Sequence, residues 1–184
     1  LGGGGVLGAT QVGMLQALLA ADITPDLVVG SSIGSVNGAF VAADPSSASV
    51  ARLEELWIEV VRSGALKESP VRQAARLAKH RTHVMSPGVI PRLVREYLDV
   101  ELIEDLSVPF QCVAAEIESA RSRWFSSGPI APAVAASCAV PGLFAPVEID
   151  GKHYLDGGLV HSIPVGRALE LGATRVFVLH VGRV

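Results

Sequence analysis

The chain has 184 residues, 49% of them hydrophobic, which is enough apolar material for one domain to bury a core without a metal or a disulfide. With 15 Lys and Arg against 18 Asp and Glu, the net charge is −3. That leaves no cationic excess for a phosphate backbone, so no nucleic-acid partner is expected and a small or lipid substrate is.

The sequence opens on Leu1 and four glycines, with no initiator methionine or basic leader. Residues 1–184 are therefore expected to be a single domain, the core or a fragment of a longer chain. A soluble or peripherally membrane-associated protein is anticipated, cytoplasmic rather than secreted. Residues 8–21 follow the glycines with Val12, Leu15, Leu18 and Leu19 at helical spacing, ending before Thr24-Pro25. Residues 27–29 form a short apolar run, expected as a buried strand entering Gly30, and residues 33–43 a helix stopped by Asp44-Pro45. Ser46 or Ser47 is placed to cap a third helix reaching about residue 62, with Val50, Leu53, Trp57 and Val60 or Val61 inward.

Residues 67–105 are helical in pattern but more polar, interrupted at Ser86-Pro87-Gly88 and resuming near Pro91. Within them Arg72, Arg76, Lys79 and His83 share one helical face. It is either a solvated face or a cationic helix suited to anionic lipid headgroups. Residues 109–115 and 121–125 are expected strands. The charge-free stretch 125–147 is long enough to span a membrane, but prolines at 129, 132, 141 and 146 mark short elements and turns instead. Cys112 and Cys138 lie in apolar runs and are expected in the core as free thiols. A hairpin of 146–149 and 152–155 turns at Asp150-Gly151, and a helix over 164–171 precedes a last buried strand at 175–181. Short apolar strands alternating with helices predict an α/β fold.

Three constellations carry chemistry. Gly30-Ser31-Ser32-Ile33-Gly34 fits G-x-S-x-G between a strand and a helix, where a sharp turn exposes a nucleophilic serine and the helix start faces the developing oxyanion. The plainer alternative is a Gly/Ser turn with Ser31 or Ser32 as a helix cap. Residues 2–8 contain G-x-G-x-x-G, but Asp26 stands at the start of the following strand rather than its end, and no lysine precedes residue 67. Dinucleotide and P-loop readings are therefore weak beside an oxyanion hole built from glycine amides. Asp156-Gly157-Gly158 ends an apolar run. It is either an ordinary turn or a carboxylate brought to a partner. A conventional Ser-Asp-His arrangement would need His161 or His180, the histidines that follow Asp156.

In order and spacing, residues 1–8, Gly30-Ser31-Ser32-Ile33-Gly34, the run Ala136-Ser137-Cys138-Ala139-Val140-Pro141-Gly142-Leu143-Phe144 and Asp156-Gly157-Gly158 resemble the patatin-like phospholipase family. The resemblance implies a three-layer α/β/α sandwich with a mainly parallel central sheet. It also implies hydrolysis of fatty acyl esters without metal or other cofactor, Ser32 as nucleophile, Asp156 as base and an oxyanion loop of Gly3, Gly4 and Gly5. Gly8, Gly30, Gly34, Gly157 and Gly158 would be supporting motif positions. Two departures stand out: Leu7 occupies a position where many relatives carry Arg or Lys, and 159–164 continues Leu-Val-His-Ser-Ile-Pro where relatives often have Asn before the proline.

Overall fold

The computed structural model describes residues 1–62, 83–86 and 88–182. The expected cationic face at 72, 76 and 79 lies outside them. His83 lies within them, buried in an isolated bridge to Gly142 rather than on a helical surface.

Strands β1 (Val28–Ser31), β2 (Phe110–Glu116), β3 (Arg121–Phe125), β4 (Val147–Ile149) and β5 (Lys152–Asp156) form one sheet. Helices α1 (Ala9–Ala20), α2 (Ile33–Ala43), α3 (Ser47–Arg62), α4 (Val89–Tyr97), α5 (Ile130–Ser137), α6 (Gly158–His161) and α7 (Val165–Glu170) surround it. β1 and β2 pair in parallel, whereas β3 and β5 join β2, and β4 joins β5, in antiparallel fashion. Two of the antiparallel pairs, β2–β3 and β4–β5, are hairpins, whereas β5 reaches β2 from a distance in sequence. The β4–β5 turn is Asp150-Gly151, both with positive φ (51° and 74°), as a tight two-residue turn requires.

Side chains alternate across a strand, and β2 shows what each face meets. Phe110, Cys112 and Ala114 enter the main core with Phe40 of α2, Leu53 of α3 and Ile130 and Val134 of α5. On the other face Gln111 accepts a hydrogen bond from Arg167 of α7, and the Val113 backbone lies against Gly157 at the start of α6. Helices thus cover both faces, which is the anticipated sandwich. Leu53 has no exposed surface, so Leu53→Ala is expected to cost about 2–5 kcal/mol through lost burial and the cavity left behind, measured by urea denaturation.

Two differences from the sequence expectation concern the later half. Residues 130–137 form a helix despite Pro132, because that proline is third in α5 and the first turn of a helix has no amide acceptor to lose. Residues 175–181 form no strand. Only Leu179 there is buried while Phe177 and Val178 are exposed, and the Leu179 carbonyl accepts from Gly2 N–H at 3.0 Å.

Candidate active site

Strand geometry brings two distant positions together. On one edge of β2, Ser31 at the end of β1 pairs with Val113, and Asp156 at the end of β5 pairs with the next residue, Ala114. β3 occupies the opposite edge from Cys112 to Glu116. β1 runs parallel to β2 and β5 antiparallel, so the two strands approach each other end to end. Ser32, one residue past β1, therefore meets Asp156 across 124 positions of sequence, and its Oγ donates to Asp156 Oδ2 at 2.5 Å.

Ser32 is held in an unfavourable backbone conformation, φ 51° and ψ −129°, between β1 and α2. Such strain in a non-glycine residue costs on the order of 1–3 kcal/mol and persists only where the surroundings fix it. Here they do so by close packing. A Cβ on Gly30 would stand 2.6 Å from the Gly34 carbonyl oxygen and from Ser35 Cα, and one on Gly34 would stand 2.5 Å from the Leu1 carbonyl oxygen. Only glycine lets these backbones pass, which is why the motif demands it at both ends. The Ser32 carbonyl accepts from Ser35 N–H at 2.8 Å and from Ser35 Oγ at 2.6 Å.

Asp156 is 6% exposed and accepts Gly158 N–H on Oδ1 at 2.7 Å. Burial pushes its carboxyl above the usual aspartate range, while the hydrogen bonds from Ser32 and Gly158 pull it back down. Gly157 is packed so tightly over the Val113 carbonyl that any side chain there would displace β2.

The glycine loop lies beside Ser32: a Cβ on Gly3 would stand 3.2 Å from Ser32 Cβ. Gly3 N–H is committed to the Ser162 carbonyl at 3.0 Å, so the expected trio of Gly3, Gly4 and Gly5 amides narrows. Gly4 and Gly5 stand at the head of a 3-10 turn, Gly5–Gly8, where the first amides of a helix have no intrahelical acceptor. Gly8 abuts Ile33, since a Cβ there would sit 2.6 Å from Ile33 Cγ1.

A buried polar network that the sequence reading missed anchors this loop. Gln11 Nε2 donates to the carbonyls of Gly2 and Leu179, and Asn37 Nδ2 donates to the Gly8 carbonyl and to Gln11 Oε1. Trp57 Nε1 closes it by donating to Asn37 Oδ1 at 3.1 Å. The signal was present: Asn37 is the one amide in the otherwise small or apolar run 33–43, and a buried polar side chain must find partners.

The histidines stand elsewhere. His161 is exposed and lies against the Trp124 ring, centroids 5.1 Å apart, with Arg167 on the same indole at 5.3 Å. His180 Nδ1 receives a long contact from Gly182 N–H at 3.5 Å. Neither ring bonds to Ser32 or Asp156. Cys112 and Cys138 are buried free thiols, as expected, and burial raises both far above the ordinary cysteine range, which leaves them inert. Among the described residues no group of three His, Cys, Asp or Glu side chains is placed to hold a metal ion, and no helix is long and apolar enough to cross a membrane. A cleft of about 830 Å³ runs along β1 and residues 171–179, but neither Ser32 nor Asp156 lines it.

The family model described as Patatin-like phospholipase matches residues 1–169. A patatin-like phospholipase domain-containing protein of Caenorhabditis elegans is 31% identical over all of this chain and 13% of its own length. Lysophospholipase nte1 of Aspergillus terreus is 31% identical over all of this chain and 12% of its own. An NTE family protein of Mycobacterium tuberculosis is 30% identical over 90% of this chain and 43% of its own. The chain thus spans less than half the length of these relatives. In structure it resembles VipD from Legionella pneumophila with a TM-score of 0.57 at 16% identity, covering 87% of this chain and 45% of that one, a likeness of fold. With nearly its whole length matched, the chain belongs to the patatin-like phospholipase family.

Proposed function

We propose that the chain is a serine acyl hydrolase that cleaves fatty acyl esters of phospholipids or related lipids through Ser32 and Asp156. One observation carries this reading: a serine hydroxyl on a strained turn at the head of α2 donates to a buried carboxylate at 2.5 Å. The name of the Aspergillus relative, lysophospholipase, supports a lipid ester as the substrate class.

Asp156 accepts the Ser32 proton as Oγ attacks the ester carbonyl carbon. The amides of Gly4 and Gly5 and the first amides of α2 receive the negative oxygen, each such donor contributing about 2.7–4 kcal/mol to the transition state. The tetrahedral species collapses as Asp156 returns the proton to the leaving alcohol, leaving the acyl group on Ser32. Water then gives a proton to Asp156 and attacks the acyl-enzyme. Collapse releases the fatty acid and restores the serine hydroxyl. Gly3, bonded through its amide to Ser162, shapes the loop rather than donating to the oxyanion. Contact with a membrane surface would deliver the lipid.

The test is fatty-acid release from phosphatidylcholine, lysophosphatidylcholine and a p-nitrophenyl ester. Release is expected from one or more of them, and folded protein that releases none while binding NAD or ATP would instead favour a nucleotide-binding module. The Ser-Asp-His alternative makes a separate demand. With His161 on Trp124 and His180 beside Gly182, His161→Ala and His180→Ala are each expected to keep ester turnover within about threefold, far from the ~10²–10⁴-fold that a general base supplies.

A further inference from the structure

The run 136–144 helps identify the family, yet the mechanism above assigns it no task. We propose that Ser137, the last residue of α5, is a positioning residue for the nucleophile: its Oγ accepts the Ser32 N–H and fixes the turn at the angle that lays Ser32 Oγ on Asp156. The inference rests on the Ser32–Asp156 reading.

Ser32 leaves the β1–β2 ladder one residue after Ser31, so its amide has no strand partner and is buried. Ser137 Oγ, with no exposed surface, receives that amide at 2.9 Å. With Ser35 holding the carbonyl, both sides of the strained residue are tied. The same stretch also holds the carboxylate: Asp156 N–H donates to the Ala139 carbonyl and Gly157 N–H to the Ser137 carbonyl, each at 3.0 Å. Residues 137–139 therefore bond to both halves of the pair and set their separation. A misplacement of about 1 Å at a reacting pair costs on the order of 10²-fold in rate.

Ser137→Ala removes the acceptor and leaves the Ser32 amide unsatisfied. Turnover of a p-nitrophenyl ester by this variant is expected to show kcat down about 10- to 100-fold with KM little changed. The acid limb of its kcat–pH profile should move to higher pH, because a displaced Ser32 no longer supplies the hydrogen bond that lowers the Asp156 pKa. Ser137→Thr keeps the oxygen acceptor and is expected to recover most of kcat, whereas Ser137→Cys, with a weak sulfur acceptor, is not. A residue that only supported the fold would lower the melting temperature and leave the acid limb where it was.

Ser32→Ala is measured alongside. If it is inactive while folded Ser137→Ala keeps kcat and its acid limb, the positioning role alone is overturned. If Ser32→Ala retains activity, the reading of the site falls and this role with it. Should Ser137→Ala not fold, the Thr and Cys variants decide: a lower kcat for Cys supports the role, and equal kcat values refute it.

Discussion

Ser32→Ala is expected to abolish acyl-ester hydrolysis, a loss on the order of 10⁶-fold in kcat, the scale of deleting a nucleophile whose partners act as a unit. The size follows from what remains. Gly4, Gly5 and the start of α2 stay in place and still polarise a bound carbonyl, but no acyl-enzyme forms, so only slow direct attack by water is left. Folding should be little affected. Alanine meets the same φ of 51° as serine, and the backbone bonds of residue 32 to Ser137 and Ser35 do not involve its side chain. Measured ester turnover near the parent rate in a cooperatively folded Ser32→Ala protein would remove Ser32 from the chemistry.

Asp156→Asn should separate activity from stability. The amide cannot take the Ser32 proton, so activity should drop by about 10⁴-fold, the upper end of what a positioned base contributes. Stability should move the other way. Burial is the leading influence on Asp156 and raises its pKa in the folded protein, outweighing the Ser32 and Gly158 hydrogen bonds. The folded state thus holds that proton more tightly than the unfolded chain does. The contribution of Asp156 to stability is therefore fully present below the unfolded value, about 3.9, and is lost as pH rises through the higher folded value. At neutral pH the ionised carboxylate is a net cost, and Asn removes it. Thermal melts at pH 7 should place Asp156→Asn at or above the parent, with the difference shrinking toward pH 4. The active protein, which needs the carboxylate, should lose kcat/KM on the acid side at a midpoint above the ordinary aspartate range.

The upward push on the Asp156 carboxyl was not legible in the sequence, because it depends on burial that only the assembled sheet creates. The Ser32 turn was legible, since a five-residue pattern between an apolar run and a helix specifies a local geometry that Gly30 and Gly34 then enforce by contact. The pairing with Asp156 was not a local property. It came from β1 and β5 meeting end to end on β2, and only the resemblance of the ordered motifs anticipated it. α5 was missed because prolines 129 and 132 look like breaks, although one precedes the helix and the other sits in its first turn. The expected strand at 175–181 misled in the opposite way. Its apolar residues suit a buried strand, yet the chain there bonds to Gly2 through Leu179 and leaves Phe177 in solvent. Gly3 shows the same limit on a smaller scale: four consecutive glycines announce free amides, but which of them are free depends on where the Ser162 carbonyl falls.

In the proposed mechanism Ser32 is a nucleophile activated by Asp156. Tandem mass spectrometry after reaction with an alkyl fluorophosphonate tests it at a single atom. An adduct on Ser32 is expected in the parent, formed far more slowly in Asp156→Asn although Ser32 is still present. An adduct on Ser31 or Ser35 instead, or equally fast labelling of Ser32 in Asp156→Asn, would contradict it.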